Sequence, residues 1–286
     1  QMYEPHGSPL LTNQQRPAAT CGRTAIILHA VACAPMSTVL PRKWYAVEIL
    51  LVLGLSLGRS GVFAAVDLLE SLTSGVALAD QTVTLNASAS PRPLFDLVVQ
   101  LLRIGFALVI VGLVWYLLRR SGEGMGALGV DASQPKRDIG RGIGLAALVG
   151  GTGIVWYLAA YAMGINLTVA AQGLPEQWWR IPVLVLGAIE NAVVEEVVVL
   201  GFVLHRLRQM GWSWGPAIWL SAVIRGSYHL YQGIGGFVGN VAMGLLFGWL
   251  FKRWGRVMPM IVAHAVIDTV AFIGYALLAG RVSWLP

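Results

Sequence analysis

The stretch NAVVEEVVVLG, residues 191–201, places two adjacent glutamates, Glu195 and Glu196, in a run of valine, leucine, alanine and glycine. A charged side chain at the centre of a bilayer costs about 2.5–3.5 kcal/mol on insertion scales, so such residues usually have a function. Of the 286 residues in the chain, 56% are hydrophobic and 12% are charged. A soluble domain carries about 25% charged residues. The composition therefore indicates an integral membrane protein with a polar site inside a span.

The fold class that the sequence predicts is all-α, a polytopic membrane protein of about seven transmembrane helices, with eight as the alternative. A span needs roughly 20 apolar residues. The segments that qualify are about 44–70, 94–118, 142–163, 181–205, 214–231, 236–251 and 257–279. Glycines at small-xxx-small spacing predict that the sixth of these helices packs closely against its neighbours. They are Gly235, Gly239, Gly244 and Gly248.

The basic residues predict the orientation of the spans. If the N-terminus is cytoplasmic and the spans alternate, twelve basic residues flank them on the cytoplasmic side and three on the other, as the positive-inside rule requires. The twelve are Arg42, Lys43, Arg119, Arg120, Lys136, Arg137, Arg141, Arg206, Arg208, Lys252, Arg253 and Arg256; the three are Arg92, Arg180 and Arg281. The net charge of +6 thus reflects topology, and the sequence gives no support for a nucleic-acid partner.

The first forty residues differ from the rest of the chain. Residues 1–23 are polar and predicted to be disordered. Residues 24–40 are mildly apolar, and we interpret them as an interfacial helix or as sequence upstream of a start at Met36. A signal-like stretch is the third alternative, which a long preceding polar tail disfavours. The two cysteines, Cys21 and Cys33, form neither a disulfide framework nor a zinc-finger pattern.

We therefore divide the chain into an N-terminal tail, residues 1–40, and a transmembrane domain, residues 41–286. Three predicted spans of that domain carry ionisable or amide side chains. On the fifth and the seventh span the two residues are four apart, so each pair is predicted to lie on one helical face. The side chains are Asn191, Glu195 and Glu196 on the fourth span, Arg225 and His229 on the fifth, and His264 and Asp268 on the seventh.

The order of these motifs resembles the CPBP family, the CAAX prenyl-protease and bacteriocin-processing (Abi-type) membrane proteins, whose motifs run EExxxR, FxxxH and HxxxN/D. Here they read EEVVVL (195–200), RGSYH (225–229) and HAVID (264–268), within a core of residues 181–279. The resemblance implies a membrane endopeptidase in contact with lipid, with a peptide or membrane protein as its substrate. It also implies a multi-pass location in the plasma membrane of a prokaryote.

Two positions depart from the family motifs. Leu200 stands where the family has arginine, and Arg225 stands where it has phenylalanine. One loss and one gain of the same charge suggest compensation, so we predict that Arg225 pairs with Glu196. The lost arginine also favours an alternative, in which the chain is a non-catalytic scaffold or partner subunit that keeps the fold.

The resemblance also assigns roles to the residues, beginning with Glu195 and His229, which would activate a water for attack on a peptide carbonyl. His264 and Asp268 would support the oxyanion, where Asp268 needs either a proton or an indirect contact through His264. Glu196 completes the catalytic set, and Asn191 and Arg225 are its supporting residues. Alternatively, Glu195, His229 and His264 could hold a zinc ion, although protons would neutralise the cluster equally well.

Motifs of other membrane-protein classes are weak or absent. GRSG at residues 58–61 matches a rhomboid nucleophile pattern by chance, and neither HExxH nor GxGD occurs. A transporter is disfavoured because the chain has no inverted repeat. Three further charged residues inside predicted spans, Glu48, Arg59 and Arg103, are expected to form a separate polar contact without a role in chemistry.

Overall fold

The computed structural model describes residues 41–281, so the predictions for residues 1–40 lie outside the described part of the chain. Most of this part is helical. The helices are α1 (Arg42–Leu55), α2 (Leu57–Thr73), α3 (Pro93–Arg120), α4 (Pro135–Ala162), α5 (Arg180–Glu195), α6 (Leu204–Gln209), α7 (Trp214–Ser227), α8 (Ile234–Trp254) and α9 (Met258–Leu278). A π-helical segment, Glu196–Val203, joins α5 to α6. Two short strands, β1 (Thr82–Thr84) and β2 (Thr168–Ala170), pair in parallel.

Four of the described helices, α3, α4, α8 and α9, are long and apolar enough to cross a membrane. The pair α1 and α2, bent by 53°, passes the same test together and would make a fifth span. This supports the predicted all-α membrane protein. The predicted segment 214–231 corresponds to α7, which has only 14 residues. At 1.5 Å per residue, α7 spans about 21 Å, less than the hydrocarbon thickness of about 30 Å.

The end of α7 corrects one prediction. Arg225 and His229 do not share a helical face, because α7 ends at Ser227 and His229 lies in the turn that follows. The amide of His229 donates to the carbonyl of Gly226 at 2.9 Å. Gly233 then takes a φ of +105°, which favours glycine, and a Cβ there would lie 2.7 Å from the carbonyl oxygen of Ile165.

The turn that carries His229 is fixed by the segment before β2. The amide of Leu167 donates to the carbonyl of Gln232 at 3.0 Å. The buried side chain of Asn166 accepts from the amide of Gly236 at 2.9 Å through its Oδ1 atom. His229 is therefore positioned by contacts with a segment about sixty residues earlier in the chain, which local sequence patterns do not reveal.

The glycines of α8 allow the close packing that the sequence predicts. A Cβ on Gly239 would lie 2.9 Å from the side chain of Trp156 on α4. On the opposite side, a Cβ on Gly244 would lie 2.8 Å from the Cα atom of Ala222 on α7. Helix α8 therefore holds α4 and α7 at short distances from its own backbone.

The π-helical segment lies at the centre of the hydrophobic core. All eight of its residues are buried, and apart from Glu196 their side chains are apolar or absent. The hydroxyl of Ser221 on α7 donates to the carbonyl of Val199 at 2.8 Å, which supplies a donor to a backbone that departs from α-helical bonding. The segment thus connects the site helices to the rest of the core.

A second buried polar network differs from the one predicted. Glu48 pairs with neither Arg59 nor Arg103; its Oε2 lies 2.9 Å from Nε of Arg206, a residue placed on a cytoplasmic flank by the sequence. Arg206 is fully buried, and its Nη1 also lies 3.0 Å from Oε2 of Glu123. The network ties α1 and the end of α3 to α6. Its partners lie far apart in sequence, so the pairing could not be read from local spacing.

Candidate active site

The two glutamates lie where the helix changes its winding. Glu195 is the last residue of α5, and Glu196 is the first residue of the π-helical segment. A π-helix has i→i+5 hydrogen bonds and hence more residues per turn, so successive side chains are rotated by a smaller angle than in an α-helix. The change in winding helps two adjacent carboxylates to face the same neighbours on α7 and α9.

Arg225 lies between the two carboxylates. Its Nη1 donates to Oε2 of Glu196 at 3.1 Å, and its Nη2 donates to Oε1 of the same residue. Nη2 also lies 3.2 Å from Oε2 of Glu195. Arg225 is 1% exposed and Glu196 is fully buried. The predicted pairing of Arg225 with Glu196 is therefore present, while Leu200, at the family's arginine position, packs in the apolar core.

Oε2 of Glu195 is the atom on which the residues after α7 converge. The hydroxyl of Tyr228 donates to it at 2.9 Å, and Nε2 of His229 lies 3.8 Å from it. Nε2 of His229 is buried and has no hydrogen-bond partner among the described residues. Because α7 has already ended, two consecutive residues, Tyr228 and His229, reach the same carboxylate.

His264 connects the glutamates to Asp268. Its Nδ1 lies 2.8 Å from Oε1 of Glu196, and its Nε2 lies 3.5 Å from Oδ2 of Asp268, which confirms that His264 and Asp268 share a face of α9. Asn191 donates to the same Asp268 oxygen at 3.3 Å. Both ring nitrogens of His264 face carboxylate oxygens, and Nη2 of Arg225 also lies 3.2 Å from Nδ1.

The described structure thus brings together all seven side chains singled out in the sequence, within one connected set of contacts. Tyr228 is the member that sequence reasoning missed. It carries no charge at neutral pH, and its position directly before His229 would place it on a different face if α7 continued. Only the end of the helix at Ser227 turns it toward Glu195.

Comparison with known proteins gives one match, to a family model. Residues 177–270 match the family model described as Type II CAAX prenyl endopeptidase Rce1-like. The resemblance read from the three motifs is confirmed over that segment. No curated protein and no solved structure gives a significant match. The Rce1-like match covers about a third of the chain and contains every residue of the candidate site.

The Rce1-like segment begins just before α5 and ends inside α9, so it comprises the helices that carry the site. The family is one of proteases, and the match supports a CPBP-type membrane protease at the level of the family. It also supports a membrane-associated peptide or protein as the class of substrate.

The donor set proposed for zinc does not fit a metal in this arrangement. The guanidinium of Arg225 occupies the space beside Glu195, Glu196 and His264 that a cation would take. In residues 41–281, no group of three or more histidine, cysteine, aspartate or glutamate side chains is arranged to hold a metal ion.

Proposed function

We propose that the protein is an intramembrane endopeptidase that hydrolyses a peptide bond in a membrane-associated substrate. The observation that carries this proposal is the approach of Glu195 Oε2 to His229 Nε2, at 3.8 Å. Two atoms at this separation can both lie within hydrogen-bond distance, about 2.6–3.2 Å, of one water molecule beside them. The site is also within the segment that matches a protease family.

In this mechanism Glu195 is the general base. It takes a proton from the water as the water oxygen bonds to the peptide carbonyl carbon, while His229 orients the water. Tyr228 and Arg225 hold the Glu195 carboxylate through the same oxygen that faces His229. When the carbon–nitrogen bond breaks, Glu195 gives this proton to the departing amine nitrogen, and the oxyanion re-forms a carbonyl in the new carboxyl group.

The Nε2–H of His264 is the donor assigned to the oxyanion, because Nε2 lies 3.5 Å from Asp268, beyond the roughly 2.7–3.2 Å of an N–H···O hydrogen bond, whereas Nδ1 lies 2.8 Å from Glu196. Glu196 and Asp268 flank its two ring nitrogens, and Asn191 fixes the Asp268 carboxylate. In this assignment Asp268 acts on the reaction through His264, because an ionised carboxylate cannot donate a hydrogen bond. A plasma-membrane location in a prokaryote completes the proposal.

The test compares the N-termini of membrane proteins in cells that lack their own copy of the gene and express either the wild type or Glu195→Gln at matched levels. Cleavage sites that occur with the wild type and disappear with Glu195→Gln would support the proposal and identify the substrate. Glu176→Gln, a change of an exposed acid just before α5, is the matched control and should cleave like the wild type.

The same experiment addresses the alternative of a non-catalytic scaffold. That alternative is favoured by Leu200 and by the ion pairs of Arg225, which would hold α5 and α7 together without any reaction. If no N-terminus depends on Glu195, and Glu195→Gln still reverses the phenotype of cells that lack the gene, the protease proposal is wrong. The protein would then be a non-catalytic scaffold.

A further inference from the structure

The two-stranded sheet has one free edge, that of β1. The carbonyl of Gln81 accepts a hydrogen bond from β2 at 2.9 Å, and the amide of Leu85 donates one to β2 at 2.8 Å. Because alternate residues of a strand direct their backbone groups to the same side, Thr82 and Thr84 direct theirs away from β2. Both threonines are exposed, and within residues 41–281 their backbone N–H and C=O groups have no hydrogen-bond partner.

The opposite edge of the sheet, that of β2, is covered by the rest of the protein. The amide of Val169 donates to the hydroxyl of Tyr157 at 3.1 Å, and the amide of Leu167 donates to the carbonyl of Gln232 at 3.0 Å. Proteins often protect an open edge with charged side chains or proline. Residues 81–87, QTVTLNA, contain neither. The edge of β1 can therefore accept a further strand.

β1 lies beside two walls of the candidate active site. Val83 of β1 and Leu230, the residue after His229, pack against the same buried apolar cluster. At the other end of the strand, Asn86 lines a cavity together with Asn191 of the site. A chain paired with β1 would therefore lie alongside both the turn that carries His229 and the helix that carries Asn191.

We propose that an extended segment of the substrate, next to the bond that is cleaved, binds as an additional strand along the free edge of β1. The inference rests on the proposed function, and it adds how the substrate is held. A transmembrane helix satisfies its own backbone groups, and unwinding it for cleavage exposes N–H and C=O groups that the bilayer cannot solvate.

The free edge supplies partners for those exposed groups. Thr82 and Thr84 together offer two N–H donors and two C=O acceptors to an extended backbone. Main-chain hydrogen bonds of this kind do not depend on the side chains of the substrate. Because β1 has only three residues, the pairing orients a chain that the active site also holds.

The first test removes one donor from the edge and leaves the sheet intact. Thr82→Pro removes the N–H of the first residue of β1, which faces away from β2, and proline is tolerated at such a position. Gln81 already has the extended conformation that a following proline requires, with a ψ of 147°. The matched control is Ala77→Pro, in the same loop, where the φ of −61° suits proline.

Both variants are expressed in cells that lack their own copy of the gene. The N-termini that depend on Glu195 should form about tenfold more slowly with Thr82→Pro than with the wild type. With Ala77→Pro they should form at the wild-type rate. Purified Thr82→Pro should melt within about 3 °C of the wild type.

The second test measures the pairing by disulfide cross-linking. Thr82→Cys is combined with Glu195→Gln, which prevents turnover, and with Cys21→Ser and Cys33→Ser. Copper phenanthroline then oxidises it with a substrate identified from the N-termini, carrying one cysteine at successive positions. Paired strands bring Cβ atoms to about 4.5–5.5 Å, close to the distance that a disulfide needs. We expect cross-links at every second substrate position, because side chains alternate across a strand.

The outcomes separate this proposal from the proposed function. If no N-terminus depends on Glu195, both are wrong. If such N-termini exist but folded Thr82→Pro forms them at the wild-type rate, or if the cross-links recur about every three to four positions as on a helix, only the strand pairing is wrong. A disulfide between two copies of the chain, with none to the substrate, would also overturn it. If Thr82→Pro does not fold, the cross-linking pattern decides.

Discussion

The guanidinium of Arg225 donates to both carboxylate oxygens of Glu196, which joins α7 to the start of the π-helical segment. Both side chains are buried, so neither charge can be solvated if the other is removed. Breaking a buried pair typically costs about 3–5 kcal/mol, whereas removing both charges is often close to neutral. A variant that removes one of the two charges should therefore be less stable than a variant that removes both.

We expect Arg225→Met to lose about 3–5 kcal/mol of stability, and the double variant Glu196→Leu with Arg225→Met to recover part of that loss. Thermal unfolding of the purified protein in detergent measures both. Arg59→Met is the control and should change the free energy of unfolding by less than about 0.5 kcal/mol. If the double variant were as unstable as the two single losses combined, the pairing would contribute nothing.

Arg206 and Arg208 give a second pair of matched variants. Arg206 is fully buried between Glu48 and Glu123, whereas Arg208, two residues later, is exposed. Arg206→Met should destabilise the protein by about 3–5 kcal/mol because it leaves the buried carboxylate of Glu48 without its cation. Glu123 is half-buried and keeps its contacts with His205 and Gln209. Arg208→Met should have a much smaller effect. Similar melting temperatures for the two variants would contradict the burial of Arg206.

Tyr228→Phe removes one hydroxyl and keeps the ring. The lost hydrogen bond to Glu195 at 2.9 Å involves a charged acceptor, and such bonds contribute about 1.5–3 kcal/mol. We expect cleavage to slow by roughly tenfold or more. The initial rate on a substrate found from the cellular N-termini measures the effect. Tyr231→Phe is the control, because the hydroxyl of Tyr231 contacts Gln232 and not Glu195.

Gly233→Ala tests the turn that carries His229. The added Cβ would lie 2.7 Å from the carbonyl oxygen of Ile165, in addition to the cost of a positive φ. Gly164 also has a positive φ, of +70°, but a Cβ there meets nothing within 4 Å. Cleavage should therefore fall much more in Gly233→Ala than in Gly164→Ala. Equal losses would mean that backbone strain alone, and not the contact with Ile165, explains the effect.

The lowered pKa of Asp131 should make the stability of the protein depend on pH. This residue lies in the loop before α4, where hydrogen bonds from Arg256 and Ser133 hold the pKa of its carboxyl well below the usual range. A depressed pKa in the folded state stabilises the protein above the unfolded pKa, and this contribution is lost as the pH falls below about 4 toward the folded value.

Asp131→Asn should therefore lower the melting temperature most near neutral pH, and the difference from the wild type should shrink between about pH 4 and pH 3. Melting curves at pH 7, 5, 4 and 3 measure this. Asp67→Asn, at an exposed carboxyl on α2, is the control and should show little difference at any of these values. A constant difference at every pH would mean that the Asp131 side chain stabilises through shape and not through its charge.

The sequence by itself determined the all-α membrane class and the set of polar side chains that meet. Long apolar segments have few alternatives to helices in a bilayer, because backbone groups must be satisfied within the segment. His264 and Asp268 share a helical face, as their i, i+4 spacing predicted, because α9 continues through both residues. Leu200 stands where the family motif has arginine, and Arg225 stands where it has phenylalanine. These two departures likewise predicted the pair of Arg225 with Glu196, since a buried carboxylate needs a cation.

Only the tertiary structure decided where α7 ends, how Glu195 and Glu196 turn toward one guanidinium, and which partners Arg206 takes. Each depends on contacts between segments far apart in sequence. Asn166 fixes the turn after α7, and Ser221 satisfies a carbonyl of the π-helical segment. Local patterns fix the type of an element, whereas its ends and its buried partners follow from packing and from hydrogen bonds that other elements supply.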